Sequence, residues 1–295
     1  MENIKALAAN LGLTYRDLGP ADVGGGYLLS SQAGWNQTEA DWRLMLANGQ
    51  GWGLESPDGQ LIASALTLPY GTEVAWISMV LVTETWRRHG IATDLLRHCI
   101  DHLDARGVTA GLDATEAGRL VYLPLGFQDI YPIDRMVAET PDLSDLGVER
   151  ISRAMTAEDM DKVVALESVA FGAERGALIA HLFRQTPDVA RVIERNGELT
   201  GYALGRNGRN YLQIGPLVAA SETDALALLT EAYGQGSGTS EPLLLDIPGH
   251  HAGLIKSLKD AGFTRQRGYV RMLMGQAEVM GNPGLVYAIT GPELA

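Results

Sequence analysis

Residues 77–92 read Ile77-Ser78-Met79-Val80-Leu81-Val82-Thr83-Glu84-Thr85-Trp86-Arg87-Arg88-His89-Gly90-Ile91-Ala92. The first six are almost continuously apolar, which predicts a strand covered on both faces. Beyond the loop, Ile91, Leu95, Leu96, Cys99, Ile100 and Leu103 recur at helical spacing. A helix therefore runs to about Ala105 and ends at Gly107. Strand, loop and helix in this order bring backbone N–H groups to a helix N-terminus, where those donors and the helix dipole suit a pyrophosphate. Gly90 lets the backbone approach phosphates closely or adopt positive φ. Arg87 and Arg88 add local positive charge. The same residues also fit an ordinary strand-to-helix turn with solvated arginines, and the loop alone does not decide between the two.

Upstream, helices are expected over 22–33 and 38–47, the second capped by Thr38 with Asp41 three residues on. Strands fit Gly51–Glu55, Leu61–Leu68 and Val74–Val82, punctuated by Pro57-Asp58-Gly59 and Gly71. Downstream come a strand at Thr109–Asp113, a short helix from Ala117 and a strand at 129–136. Thr140–Gly147, with Pro141 and acidic residues, reads as a linker. The order then repeats. Helices fit Thr156–Phe171 and Gly176–Gln185; strands fit Arg191–Glu194, Thr200–Gly205 and Tyr211–Val218; then come a helix at Glu222–Tyr233, a strand at Leu243–Asp246 and a helix at 251–261. Val82 maps onto Val218, and Gly126-Phe127 onto Gly262-Phe263, both at an offset of 136. Leu112-Asp113 maps onto Leu245-Asp246 at an offset of 133. Such a long-period repeat predicts two diverged copies of one α/β fold. Residues 1–139 and 150–295 form the two units, with 140–149 between them.

Length and composition agree. The 295 residues exceed the usual size of one domain, and 46% hydrophobic with 20% charged residues is globular composition. The net charge of −13 divides into −10 over residues 1–148 and −3 over the rest. So acidic a chain is a poor partner for nucleic acid or an anionic membrane surface. No stretch approaches ~20 uninterrupted apolar residues, so no transmembrane helix is expected. The segment Met1–Lys5 opens no apolar run, so no signal peptide is expected. The lone cysteine, Cys99, excludes an intramolecular disulfide and a cysteine zinc site, and a reducing cytoplasm is the expected location. Cys99 lies on the apolar helix face and reads as core. Six scattered histidines without HExxH spacing give no reason to expect a metal. His250 and His251 read as surface or pocket-rim residues. Arg206 and Arg209, flanking Asn207-Gly208, read as a solvated hairpin turn.

The stretch Val82–Ala92 resembles the acyl-CoA motif of the GNAT N-acetyltransferases, roughly V-x-P-x-x-[QR]-x-x-G-x-[GA]. Tyr122-Leu123-Pro124-Leu125-Gly126-Phe127 is similar to that family's Y-x-x-x-G-F, in the right order and at a usual separation. Gly34-Trp35-Asn36, Asp41-Trp42 and Leu112-Asp113-Ala114-Thr115-x-x-Gly118 resemble a bacterial subgroup that adds a second GNAT-like, acetyltransferase-18-type domain. Ile214-Gly215-Pro216-Leu217-Val218-Ala219 and Leu245-Asp246-Ile247-Pro248 resemble that second domain. The resemblance covers nearly the whole chain. It implies two tandem GNAT-like domains, each a mixed, mostly antiparallel twisted sheet flanked by helices.

The resemblance implies roles at the matched positions. Acetyl-CoA would be the co-substrate. Val80, Leu81 and Val82 would offer strand-edge groups to its pantetheine arm. Arg87, Arg88, His89, Gly90, Ile91, Ala92 and Thr93 would make the pyrophosphate loop. Tyr122 would protonate the leaving thiolate, a task that suits a phenol because it is neutral at pH 7; the alternative is a helix residue whose ring packs in the core. A small-molecule amine would attack the thioester directly in a ternary complex, with a backbone N–H near Val82 meeting the oxyanion. Glu73 and Asp113 are candidate bases, and each also reads as a solvated or structural carboxylate. Trp35, Asn36 and Trp42 are candidate acceptor contacts, and the tryptophans equally fit helix packing. Glu84 stands where the family often has proline, Thr115 where many relatives have asparagine, and Pro124 ends or bends the Tyr122 helix. In the second copy Arg87, Gly90 and Tyr122 map onto Thr223, Leu226 and Leu258, so that copy is expected to bind no CoA. The protein is expected to act as a monomer or homodimer. A non-catalytic acyl-CoA sensor and a partner-binding scaffold are the other readings.

Overall fold

The computed structural model describes residues 4–235, 241–275 and 279–295. Met1–Asn3, the start of the segment read for a signal peptide, lies outside them. The first half runs α1 (Ile4–Asn10), β1 (Thr14–Leu18), α2 (Val23–Gln32), α3 (Glu39–Asn48), β2 (Gln50–Glu55), β3 (Leu61–Tyr70), β4 (Val74–Val82), α4 (Ile91–Asp104), β5 (Thr109–Thr115), α5 (Glu116–Tyr122) and β6 (Phe127–Ala138). The second runs β7 (Arg153–Ala154), α6 (Met160–Phe171), α7 (Gly176–Gln185), β8 (Arg191–Arg195), β9 (Glu198–Asn207), β10 (Leu212–Ala219), α8 (Glu222–Gln235), β11 (Leu243–Pro248), α9 (Ala252–Asp260), β12 (Thr264–Met274) and β13 (Val286–Ala288).

The strands join in one sheet in the order β1-β2-β3-β4-β5-β12-β6-β11-β10-β9-β8-β7, with β13 against β10. Among the described residues, only β4–β5 and β10–β11 pair in parallel; the other pairs are antiparallel. The repeated Gly-Phe at 126–127 and 262–263 leads into β6 and β12, and these equivalent strands have changed places. β12, from the second half, pairs with β5 of the first. β6, from the first half, pairs with β11 of the second. Residues 140–149, expected as a linker, do not mark a boundary in the sheet.

One sheet face carries a core shared by both halves, with Leu29, Trp42 and Met45 of α2 and α3 beside Val163, Phe171, Ile179 and Leu182 of α6 and α7. The opposite face carries separate cores, one under α1 and α4 and one under α8 and α9. The packing of α3 follows from its N-terminus: Thr38 caps it, accepting from the Asp41 amide, while Asp41 Oδ2 accepts from the Thr38 amide at 2.6 Å. Cys99, on the buried face of α4, is fully buried, and burial pushes its thiol far up. No helix among the described residues is long and apolar enough to cross a membrane.

Candidate active site

Strand β4 pairs with β5 only over Val74–Trp76 and Thr109–Gly111. From Ile77 onward β5 turns to β12, so β4 has an edge without a β5 partner over residues 77–82. A bulge sharpens the divergence. Ser64 and Leu66 of β3 face Leu81 and Ser78, leaving one extra residue on β4 where Met79 takes φ +50°. Bulges of this kind bend the strand and re-aim its groups. At the end of this edge the chain makes a 3-10 turn over Glu84–Trp86, then Arg88 at φ +65° and Gly90 at φ +82° lead into α4. No side chain caps α4 at Gly90, and its first intrahelical bond runs from the Asp94 amide to the Gly90 carbonyl. The amides of Ile91, Ala92 and Thr93 thus stand outside the helical ladder. Arg87, Arg88 and His89 are exposed around them; Arg87 Nε donates to the Val82 carbonyl at 3.2 Å, which ties the loop to the strand end.

The helix α5 ends at Tyr122, and Pro124 sits in a separate 3-10 turn over Leu123–Leu125. Thr115 is its N-cap, accepting from the Gly118 amide at 3.2 Å. Gly118 leaves room for the tyrosine: a Cβ there would stand 3.1 Å from the Tyr122 hydroxyl oxygen. Burial raises the phenol above its ordinary value of 10. Tyr122, Val80 and Thr115 border a cavity of about 120 Å³ that reaches inward from the open strand edge. Its far wall joins both halves, with Trp35 and Gln37 from the α2–α3 loop, Asp113 from β5, Tyr269 from β12 and Glu293 from the C-terminal tail. Asp113 is held by Arg271 through two hydrogen bonds of 2.9 Å. Burial pushes its carboxyl up and the guanidinium opposes that shift. Arg135 also lines the cavity and grips Asp246 through two bonds of 2.7 Å, and Arg206 joins Asp41 at 2.5 Å and also Glu293.

The second half has the same divergence between β10 and β11, which pair only over Leu212–Gln213 and Leu243–Leu244. There the gap is filled. β13 lies against β10 with Leu217 opposite Ala288 and Val218 opposite Val286, and the Ile289 amide donates to the Asp246 carbonyl of β11 at 2.9 Å. By the repeat offset, Leu217 and Val218 correspond to Leu81 and Val82, whose edge in the first half stays open.

Family models describe both halves. Residues 27–127 match the acetyltransferase (GNAT) family and residues 163–288 match an acetyltransferase (GNAT) domain of the acetyltransferase-18 type. The chain belongs to the GNAT acetyltransferases. This tandem GNAT protein is an acyltransferase. It is 26% identical over 244 residues to the uncharacterized N-acetyltransferase YitH of Bacillus subtilis strain 168, covering 82% of this chain and 84% of that one. Its fold is shared with a protein from Pyrococcus horikoshii proposed to be an acetyltransferase, with a TM-score of 0.77, 21% identity and 96% and 95% of the two chains covered. It is shared also with a tandem GNAT protein from the clavulanic acid biosynthesis pathway, with a TM-score of 0.63, 18% identity and 90% and 100% covered.

Within this tandem GNAT protein the residues expected at the site separate into two groups. Val80, Leu81, Val82, the 87–93 loop, Tyr122, Asp113 and Trp35 converge on the edge and the cavity. Glu73, Asn36 and Trp42 do not border it. Glu73 is exposed in the turn before β4, its carbonyl accepting from the Thr109 amide. Trp42 is fully buried, its indole N–H donating to Ser30 Oγ at 3.0 Å and its ring lying where a Cβ on Gly26 would stand 2.4 Å away. Asn36 clamps the β9–β10 hairpin: its Oδ1 accepts from the amides of Asn210 and Tyr211, and its Nδ2 donates to the Tyr211 carbonyl. The solvated reading of Arg206 is corrected, since it is 3% exposed and bound by two carboxylates. His251 is also buried, stacked 3.9 Å from the Tyr287 ring. Among the described residues no group of three or more His, Cys, Asp and Glu could hold a metal. Sequence reasoning missed Tyr269, Arg271 and Glu293, which lie beyond the last element it assigned.

Proposed function

We propose that this chain transfers an acetyl group from acetyl-CoA to the amine of a small molecule, with residues 1–139 as the catalytic unit, 140–149 as linker and 150–295 as a copy that binds no CoA. The observation that carries this reading is the open edge of β4, which joins the free amides of α4 at one end and the Tyr122 cavity at the other. Acetyl-CoA supplies the acetyl group as an activated thioester. The backbone groups of Val80–Val82 bind the pantetheine arm as a strand would. The amides of Ile91–Thr93, with Arg87 and Arg88, bind the pyrophosphate at the positive end of the helix dipole. Tyr122 holds its proton at neutral pH and gives it to the departing sulfur. Both Asp113 oxygens are taken by Arg271, so this carboxylate acts as a fixed charge rather than a free base. Loss of the loop residues and the filling of its groove by β13 support a second copy without CoA.

Calorimetric titration with acetyl-CoA, followed by free-thiol release over a panel of small amines, tests the reading. One molecule bound per chain and thiol release with an amine are expected. Absence of CoA binding overturns it. Binding without release over the whole panel moves the protein to the sensor reading.

A further inference from the structure

The cavity wall opposite Tyr122 carries groups that the transfer reaction as derived above does not use. Two are polar atoms without partners. Gln37 is 3% exposed and Ser78 is 6% exposed, and both line the cavity. Gln37 Oε1 and Ser78 Oγ are buried with no hydrogen-bond partner among the described residues. An unsatisfied buried acceptor costs about 1–3 kcal/mol, so these atoms call for a ligand that brings donors. The charges around the cavity point the same way. Four buried carboxylates, Asp41, Asp113, Asp246 and Glu293, are linked in ion pairs with three guanidiniums, Arg135, Arg206 and Arg271. Asp113 and Asp246 are each gripped bidentately by one arginine. Asp41 and Glu293 share Arg206. The surplus negative charge thus falls on this last triad, and of its two carboxylates it is Glu293 that lines the cavity. Glu293 is carried there by a fixed tail: the Pro292 carbonyl accepts from the Trp76 indole at 3.0 Å, and the Leu294 carbonyl from Tyr70 at 2.7 Å and Arg175 at 2.9 Å.

We infer that Glu293 is the group on which the cavity receives the acceptor as a cation, with Gln37 Oε1 and Ser78 Oγ accepting from its N–H donors. The acceptor class is a small amine that docks in its ammonium form and releases one proton to solvent before its lone pair attacks the thioester, and the second half sets specificity through its tail. This rests on the cavity being the acceptor side of the proposed transferase.

The test titrates the full chain, with and without CoA, with propylamine, 1,4-diaminobutane and glycinamide at neutral pH, and with uncharged propionamide as the control. At least one amine binds and propionamide does not. Glu293→Gln, which keeps an acceptor for Arg206, weakens that amine about tenfold or more and leaves CoA affinity unchanged. Failure of all three amines to bind, equal binding of propionamide, or an unchanged affinity in Glu293→Gln overturns the inference. Should Glu293→Gln fail to fold, Ser78→Ala and Gln37→Leu leave the Arg206 pairs intact. Each then weakens the amine severalfold, and an unchanged affinity in both overturns the inference equally. CoA failing to bind the unsubstituted protein counts against the transferase reading, and the titration without CoA still decides the cation site.

Discussion

Arg271, on a strand from the second half, holds Asp113 of the first half through two hydrogen bonds of 2.9 Å. The guanidinium also lies over the Trp76 ring at 4.7 Å and donates to the Tyr131 hydroxyl. The pair joins β5 to β12, so it fixes the exchanged strand in register behind the cavity. Removing one partner leaves a buried charge alone, which costs about 3–5 kcal/mol. Arg271→Met should lose stability of that order in urea denaturation at neutral pH. Burial already pushes the Asp113 carboxyl up, and loss of the arginine pushes it further. The deficit should therefore shrink on acidification, as Asp113 takes a proton and its charge disappears. A pH-independent deficit would show that the charge is not the cause.

Gly90 separates backbone conformation from crowding. Its φ is +82°, and a Cβ there meets nothing closer than a Leu7 methyl at 4.0 Å. Alanine is therefore penalised by conformation alone, about 1–2 kcal/mol in the left-handed region. Calorimetry should show CoA binding to Gly90→Ala about tenfold more weakly. Gly90→Glu adds a negative charge beside the pyrophosphate and should weaken binding further, with a steeper dependence on low salt. Equal affinities of glutamate and unsubstituted forms would place the pyrophosphate elsewhere.

Tyr122→Phe keeps the ring over Gly118 and removes the proton. General acid catalysis is worth about 10²–10⁴-fold, so kcat should fall at least a hundredfold while CoA affinity stays the same. Burial raises the phenol above 10, and the acid form persists throughout the neutral and mildly alkaline range. The pH–rate profile should show no loss of kcat from Tyr122 up to about pH 10. A Phe variant with unchanged kcat removes Tyr122 from the acid role.

His251 supplies a pH signal remote from the reaction. Burial and the neighbouring His250 lower its imidazole to about 4. A base held neutral in the fold takes up its proton more readily once unfolded. Stability linked to His251 is thus fully present above about pH 6.5 and is lost as pH falls toward 4. With allowance for solvent screening, the loss is on the order of 2 kcal/mol. Denaturation curves measured across that window should flatten in His251→Phe, which keeps the stacking on Tyr287. An identical slope in the variant would assign the acid sensitivity to other groups.

The elements legible in the sequence were those with a local signal. The amphipathic period of 91–105 and the apolar run of 74–82 became α4 and β4 within a residue. Thr38 and Asp41 announced the start of α3. Pro124 announced the end of α5. The strand exchange left no such signal, because β6 and β12 carry the same pattern whichever partner they choose. The site showed the same division. A glycine loop and a tyrosine motif are contiguous and can be read directly. Glu293 and Gln37 are 256 positions apart, and only the folded tail brings them to one cavity. Asn36 and Trp42 sit beside readable motifs, yet hairpin binding and packing on Gly26 hold them away from the cavity. Arg206 looked solvated because a hairpin turn gives no hint that two carboxylates will cover it.

β13 gives the second groove an occupant that belongs to the chain itself. A segment tethered by a short flexible linker meets the place it fills at an effective concentration on the order of millimolar. On the proposed reading the second groove is filled by β13 and only the first copy takes the acyl donor. The donor should saturate the protein hyperbolically, at one site per chain, although the fold was built twice.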